Sequence, residues 1–135
     1  MKRIVVVAGI LLNDKNDILC AQRSSTGDLA EYWEFPGGKV DSLETHEETL
    51  IRELQEELNV SIQSFEKFMT VEYSYPDFDL TLHTFIVDRF NGELELNVHQ
   101  NLQWVSPSQL HHLNWAPADW PIVERLQNEF TNREN

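Results

Sequence analysis

Three glutamates in the middle of the chain have the residue type and the spacing to hold a metal ion. Glu56 and Glu57 follow Glu53 by three and four residues, so on a helix the three carboxylates share one face. Residues 41–57 contain seven carboxylates and one base, Arg52, whereas a solvated helical face usually mixes in lysines. Hard oxygen ligands on a rigid element suit Mg²⁺ or Mn²⁺, which predicts a divalent-cation site. An ordinary acidic surface is the plainer alternative.

The surrounding sequence predicts the helix that must position these glutamates. Thr45 and Glu48 have the spacing of a capping box, which places the start of a helix there. Asn59 stands where a left-handed C-cap is expected. A second stripe of the helix is apolar and should face the core, and it consists of Leu50, Ile51, Leu54 and Leu58.

The glutamates belong to a longer pattern of fixed residues. It runs Gly38, five residues, Glu44, seven residues, and then RELQEELNV at residues 52–60. This pattern resembles the Nudix box at every fixed position except the last glycine, which is Asn59 here. The resemblance implies a single Nudix domain over residues 1–135, with an α/β/α sandwich in which a mixed β-sheet lies between helices.

The resemblance is most specific to the MutT-like branch of that family. WEFPGGK at residues 33–39 and APAD at residues 116–119 are the stretches that carry it. Those relatives hydrolyse nucleoside triphosphates to the monophosphate and pyrophosphate, and some remove oxidised nucleotides such as 8-oxo-dGTP. A Nudix hydrolase of nucleotide sugars or dinucleotides, and a Nudix-fold nucleotide-binding module without catalysis, are the alternative functions.

The resemblance also implies roles for individual residues. Glu53, Glu56 and Glu57 would hold Mg²⁺ or Mn²⁺, and the Gly38 carbonyl would add a ligand. Arg52 would hold the Glu56 carboxylate, four residues away, in its ligand geometry. Glu44, at the fixed acidic position of the box, would have a supporting role.

The general base is the one role that the resemblance does not transfer. Many relatives carry a further glutamate in the loop before a tryptophan-containing strand, as a metal ligand or base. Alignment on Gln100 and Trp104 places Val98 at that position. We favour Glu53 as the base, with Glu95 and His99 as alternatives.

Five residues are candidates for the substrate pocket. Arg23 and Lys39 could contact phosphates, or be ordinary surface charges. Phe35 and Phe78 could flank a base, since aromatic faces suit any base, or pack in the core. Asp119 aligns with the position at which MutT-like relatives read the base edge, and it would also serve as an N-cap for the final helix.

An ionised carboxylate at Asp119 would restrict the base. It only accepts hydrogen bonds, and cytosine and guanine both present amino donors. The pairing edges of thymine and uracil carry two carbonyls and a single donor, which argues against them. Substrates of the (d)CTP type and 8-oxo-dGTP therefore remain close rivals, with a shift away from strict 8-oxoguanine readout.

Composition limits the partners. The 135 residues have a formal net charge of −13 and a sequence pI of about 4.6, which disfavours polymeric nucleic acid and anionic membranes. A nucleotide would arrive as a metal complex. Cys20 is the sole cysteine, which excludes a disulfide framework and a cysteine zinc site. We expect a monomer, since no partner-facing apolar helix stands out.

Apolar patterning predicts the remaining elements. Strands are expected at residues 4–12, 18–23, 65–75, 80–90 and 102–105, with a final helix at 117–130. Asn91-Gly92 is the strongest hairpin signal, so residues 93–98 should return as a strand. Residues 1–12 resemble the start of a secretion signal, but the Asn/Asp-rich residues 13–17 and the lack of a cleavage site favour a strand. A cytoplasmic α/β protein is therefore expected, with a mixed sheet between helices.

Overall fold

A computed structural model describes residues 2–134 of the chain, with side chains as far as residue 130. Seven strands and two α-helices lie within this part. They are β1 Lys2–Leu11, β2 Ile18–Gln22, β3 Trp33–Glu34, β4 Gly37–Lys39, α1 His46–Leu58, β5 Ser61–Ser74, β6 Phe78–Asn91, β7 Asn101–Val105 and α2 Trp120–Glu134. Two short 3₁₀ helices, Pro107–His112 and Pro117–Asp119, precede α2.

The strands form two sheets. The larger has the order β4-β1-β6-β5; β1 and β6 run parallel, and the other two pairs are antiparallel. The smaller is antiparallel, with the order β3-β2-β7. The predicted fold class, an α/β/α sandwich with a mixed sheet, is confirmed. The sequence did not predict that β2, β3 and β7 would form a sheet of their own.

The alternation of side chains along β1 gives the sandwich its two cores. Val7 and Leu11 belong to the cluster that contains the buried leucines of α1, namely Leu50, Leu54 and Leu58. Ala8 and Ile10 point to the opposite face, into the cluster with Ile122, Val123, Leu126 and Phe130 of α2. β1 is therefore covered on both faces, as its continuous apolar sequence predicts.

The predicted ends of α1 are confirmed. The Thr45 hydroxyl accepts from the Glu48 amide (3.1 Å), and the Thr45 amide donates to the Glu48 carboxylate (2.9 Å). Asn59 adopts φ 61°, ψ 37°, the left-handed C-cap. The expectation for Ile51 is wrong, because 42% of this side chain is exposed. Ile51 lies one residue from Leu50 and is rotated by about 100° to the edge of the buried stripe.

The hairpin predicted at Asn91-Gly92 is wrong. β6 already has β1 on one side and β5 on the other, so residues 93–98 have no free edge to pair with. They instead satisfy carbonyls at the end of α1. The Glu95 amide donates to the Leu58 carbonyl (3.0 Å), and the Asn97 side chain donates to the Glu56 carbonyl (2.9 Å).

The last predicted helix begins later than expected, because Pro117–Asp119 forms a separate 3₁₀ turn before α2. Among residues 2–134, no helix is long and apolar enough to cross a membrane.

Candidate active site

Arg52 lies at the centre of the acidic face of α1. Its guanidinium makes two hydrogen bonds to Glu44, both of 2.9 Å, and a third of 2.9 Å to Glu53 Oε1. It also approaches Glu56 Oε2 at 3.3 Å. The hydrogen bond from Arg52 lowers the pKa of Glu44. The sequence predicted the contact with Glu56; the structure makes Arg52 the shared partner of three carboxylates, with the bidentate pair to Glu44 as its anchor.

Gly38 brings the backbone of β4 against the same carboxylates. It pairs with Val7 of β1, next to α1. A Cβ built on Gly38 would collide with the carboxyl group of Glu53. Gly38 therefore lies directly against Glu53, and a side chain at this position would displace the Glu53 carboxylate.

Glu57 is partly buried, whereas Glu56 is exposed. The Oε1 atom of Glu57 is buried and has no hydrogen-bond partner among the described residues. Burial raises the pKa of Glu57 to about 8, helped by the negative charges of Glu34 and Glu53, and the Gly37 amide opposes the shift by donating a hydrogen bond. A buried carboxylate oxygen without a partner is a site that a cation would satisfy.

The proposed oxygen donors, which are Glu53, Glu56, Glu57 and the Gly38 carbonyl, are of the type that a hard divalent cation prefers, although the carboxylates do not form a preformed metal site. Among the described residues, no three His, Cys, Asp or Glu side chains form a group that could already hold a metal ion. Arg52 holds Glu53 Oε1 and part of Glu56 instead. The fit rests on the unpartnered oxygen of Glu57, the close approach of Gly38 and the all-oxygen chemistry of the donors.

A pocket of about 630 Å³ lies beside this acidic face. Its wall includes Gly38 and Glu57 on the side of α1. All five residues predicted to bind substrate also line it, namely Arg23, Phe35, Lys39, Phe78 and Asp119. The topology explains this convergence, because Phe35 and Pro36 carry the chain from β3 in the small sheet to β4 in the large one.

The two phenylalanines of the pocket differ in how far they are committed to packing. Phe35 is 3% exposed and stacks on Trp115, with ring centroids 4.6 Å apart. Phe78 is only partly buried and stacks on Tyr75 at 5.1 Å. The Tyr75 hydroxyl in turn accepts a hydrogen bond from the Ala118 amide (3.2 Å), next to Asp119. Phe35 is thus both core and pocket wall, while the Tyr75–Phe78 pair forms a rim.

Asp119 directly precedes α2, where an N-cap would stand, but its side chain faces the pocket. It is 5% exposed, and its carboxyl accepts a hydrogen bond from the Phe35 amide. Burial, together with the nearby charge of Glu34, raises the pKa of Asp119 well above its ordinary value. The shift favours the neutral acid, which donates as well as accepts.

The sequence analysis did not single out Glu34 as a site residue. Glu34 Oε1 lies 3.0 Å from Arg23 Nη1, and its Oε2 lies 2.8 Å from His99 Nε2. Glu34 lines the pocket, and its charge acts on both Glu57 and Asp119. The sequence contained one indication of this role, because Glu34 lies within the WEFPGGK stretch that resembles MutT-like proteins. Its partners Arg23 and His99 lie elsewhere in the sequence, so the contacts could not be predicted.

The loop before β7 contains Val98, at the position where relatives carry a glutamate, and the two alternatives for the general base, Glu95 and His99. Val98 is 55% exposed and has no ionisable group, and Glu95 is exposed with its backbone bound to the end of α1. His99 is buried and contacts Glu34. Among these residues, only His99 is connected to the wall of the pocket by a described hydrogen bond.

Comparison with known proteins supports the resemblance to the Nudix family. A family model described as NUDIX domain matches residues 2–126. The chain is 35% identical to the 8-oxo-dGTP diphosphatase of Escherichia coli (strain K12), covering 94% of this chain and 98% of that protein. It is 40% identical to the CTP pyrophosphohydrolase of the same organism, covering 92% and 91%.

Solved structures agree over nearly the whole chain. The E. coli ORF135 protein matches with a TM-score of 0.86 and 38% identity, covering 98% of this chain and 94% of that one. A MutT structure, from a study of the Aliivibrio salmonicida and Vibrio cholerae proteins, matches with a TM-score of 0.83 and 29% identity, covering 96% and 100%. The chain therefore belongs to the Nudix hydrolase family, in its MutT-like branch.

Proposed function

We propose that this protein is a divalent-metal-dependent pyrophosphohydrolase that converts nucleoside triphosphates to monophosphates and pyrophosphate and cleans the nucleotide pool. The observation that carries the proposal is that one pocket, of about 630 Å³, brings the five candidate substrate contacts together with Gly38 and Glu57. Two relatives named for 8-oxo-dGTP and CTP hydrolysis support the same reaction.

The residues divide the work of breaking a phosphoanhydride bond, which depends on positioning and on charge neutralisation. Glu53, Glu56, Glu57 and the Gly38 carbonyl would hold the metal. Bound Mg²⁺ or Mn²⁺ would neutralise the triphosphate and activate water.

Four side chains would support that chemistry around the metal site. Arg52 keeps the carboxylates of Glu53 and Glu56 in place. Because Arg52 holds Glu53 Oε1, we assign the proton-accepting role to Glu53 Oε2. Arg23 and Lys39 would contact the phosphates from the pocket wall.

The protonation of Asp119 bears on the choice of base. A neutral carboxylic acid pairs with cytosine by accepting from N4 and donating to N3, and with guanine by accepting from N1 and donating to O6. A neutral Asp119 is therefore compatible with strict guanine readout, which an ionised Asp119 would disfavour. It also no longer counts against thymine or uracil, which offer one donor and adjacent carbonyls. Substrates of the (d)CTP type and 8-oxo-dGTP remain equal candidates within the proposal.

The proposal is tested by incubating the pure protein with Mg²⁺ and a panel of 8-oxo-dGTP, dGTP, dCTP, CTP, 5-methyl-dCTP and dTTP. We expect monophosphate and pyrophosphate as products, and activity that EDTA abolishes and Mn²⁺ partly restores. Ranking kcat/KM over the panel identifies the base and sugar. Turnover of only a nucleotide sugar or a dinucleotide would make the protein a hydrolase of those substrates. Tight nucleotide binding without turnover would make it a binding module.

The proposal includes a monomer acting in the cytoplasm on free nucleotides. The net charge of −13 supports it, since such a surface repels polymeric nucleic acid and anionic membranes. Light scattering coupled to size-exclusion chromatography should give a mass near 15.8 kDa. A mass twice as large would contradict the monomer but would not bear on the proposed reaction.

A further inference from the structure

Three separate parts of the chain meet at the Glu34 carboxylate. Arg23 at the end of β2 holds Oε1 at 3.0 Å, and His99 before β7 holds Oε2 at 2.8 Å. Gln100, the next residue after His99, locks the loop in place. Its amide donates to the Gln22 carbonyl (3.0 Å), and its side chain donates to the Arg23 carbonyl (2.9 Å). Both oxygens of Glu34 are thus fixed by neighbours that are themselves anchored.

His99 makes this contact in a way that a purely structural histidine would not require. Its side chain is 4% exposed, and Nδ1 is buried without a hydrogen-bond partner among the described residues. Because Nε2 faces a carboxylate, Nε2 carries a proton and donates it to Glu34. The bond to Glu34 is therefore the described hydrogen bond that orients the His99 ring.

We propose that His99 is a positioning residue of the active site, which acts by fixing the Glu34 carboxylate in the pocket wall. The inference rests on the proposed function, because the pocket must be the one that binds substrate. Glu34 is 24% exposed and lines that pocket, whereas His99 lies behind it. His99 therefore acts through Glu34 and not on the substrate itself.

The place of Glu34 explains why its position matters. It is close enough to Glu57 on the metal side and to Asp119 on the base side for its charge to act on both. A carboxylate free to rotate would change the field at both ends of the pocket. Val98, the residue before His99 in the loop before β7, is exposed and has no ionisable group. The described hydrogen bond between this loop and the pocket wall is therefore the one from His99 to Glu34.

The test compares two substitutions of His99 with a control. His99→Leu removes the donor, and we expect kcat/KM to fall by about 10–100-fold, as for other residues that orient a functional carboxylate. His99→Gln keeps an N–H donor near the position of Nε2 and should restore most of the activity. His112→Leu, at an exposed histidine outside the pocket, should leave kcat/KM unchanged.

A double-mutant cycle separates positioning from a general loss of structure. If His99 acts through Glu34, His99→Leu has little further effect once Glu34→Ala is present. Multiplied losses in the double variant, or full activity in His99→Leu, would overturn the proposal. Inactive wild-type protein would instead defeat the proposed function, so the two failures are distinguishable.

A measurement without substrate gives an independent check. Imidazole ¹⁵N NMR of the wild-type protein should show a proton on His99 Nε2, and Glu34→Ala should shift the Nε2 signal. An Nδ1–H tautomer, or a His99 signal that ignores Glu34→Ala, would contradict the inference even where His99→Leu fails to fold.

Discussion

The two walls of the pocket are built in opposite ways. The metal-side wall belongs to the acidic face of one helix, in which Arg52, Glu53, Glu56 and Glu57 lie within six consecutive residues and Glu57 lines the pocket. The base-side wall comes from Arg23, Glu34 and Asp119, with His99 behind Glu34, and the chain brings these residues together from β2, β3, the loop before β7 and the turn before α2. The first wall is local in sequence, and the second exists only after folding.

The walls also differ in how they handle negative charge. On the helix, Arg52 pairs with three carboxylates, and Glu56 remains 59% exposed. On the other wall, Asp119 is 5% exposed and its carboxyl is bonded to a backbone amide, so burial dominates and its pKa rises. In the proposed function, one wall would hold cations and the other would read a neutral base. The predictions that follow test this division.

The largest effect is expected on the metal side. Glu53→Gln removes a charge from the ligand set and should lower kcat by on the order of 10³-fold, with the fold retained, because the remaining carboxylates bind the cation poorly. Steady-state kinetics over a Mg²⁺ titration, with circular dichroism for the fold, measure it. Glu47→Gln, on the first turn of the same helix, is the matched control. Near-normal turnover in Glu53→Gln would remove this glutamate from the metal site.

A smaller effect of a different kind is expected on the base side. Asp119→Ala removes a hydrogen-bonding group and should raise KM for the best substrate by about 10–100-fold while kcat changes less. Asp119→Asn keeps a donor and an acceptor and should lie close to wild type. Kinetics on the best substrate of the panel distinguish these cases. A fall in kcat at constant KM would take Asp119 out of base binding.

The raised pKa of Asp119 predicts a pH dependence of stability. Since the folded value lies above the ordinary one near 3.8, the folded state binds the proton more tightly than the unfolded chain. The stabilising contribution is fully present below the ordinary pKa and is lost as pH rises through the folded value. Asp119→Asn lacks this loss, so its stability relative to wild type should increase with pH. Urea unfolding from pH 4 to pH 8 measures it, and a difference independent of pH would contradict burial of a neutral acid.

The smallest effect is expected at the start of the helix. Thr45→Ala removes the hydroxyl that caps the Glu48 amide and should lower the free energy of unfolding by about 1 kcal/mol. Because the glutamates lie two turns further along, kcat/KM should stay the same. Urea unfolding and kinetics on one preparation test both statements. A large loss of activity would mean that the metal-side wall depends on the N-terminus of α1.

The contrast between the walls also explains what sequence analysis could reach. Helix caps, the i,i+3 and i,i+4 spacing of the glutamates on one helix and the continuous apolar run of β1 are local patterns, and the elements that they predict are present in the fold. The return strand predicted for residues 93–98 failed because local turn chemistry at Asn91-Gly92 contains no information about the occupied edges of β6. The prediction that Ile51 faces the core failed for a related reason, since the spacing of apolar residues does not show how far round the helix the buried face extends.

The sequence alone determined the family, the acidic helix and the candidate ligands, because these depend on residue types at short, fixed spacings. Only the tertiary structure placed Glu34 between Arg23 and His99, and only it buried Asp119 against the Phe35 amide. Contacts between residues 34 and 99 are created by the packing of the small sheet, and the charge state of Asp119 by the loss of water around it. Neither quantity is a property of a residue in its local sequence, which is why folding had to decide both.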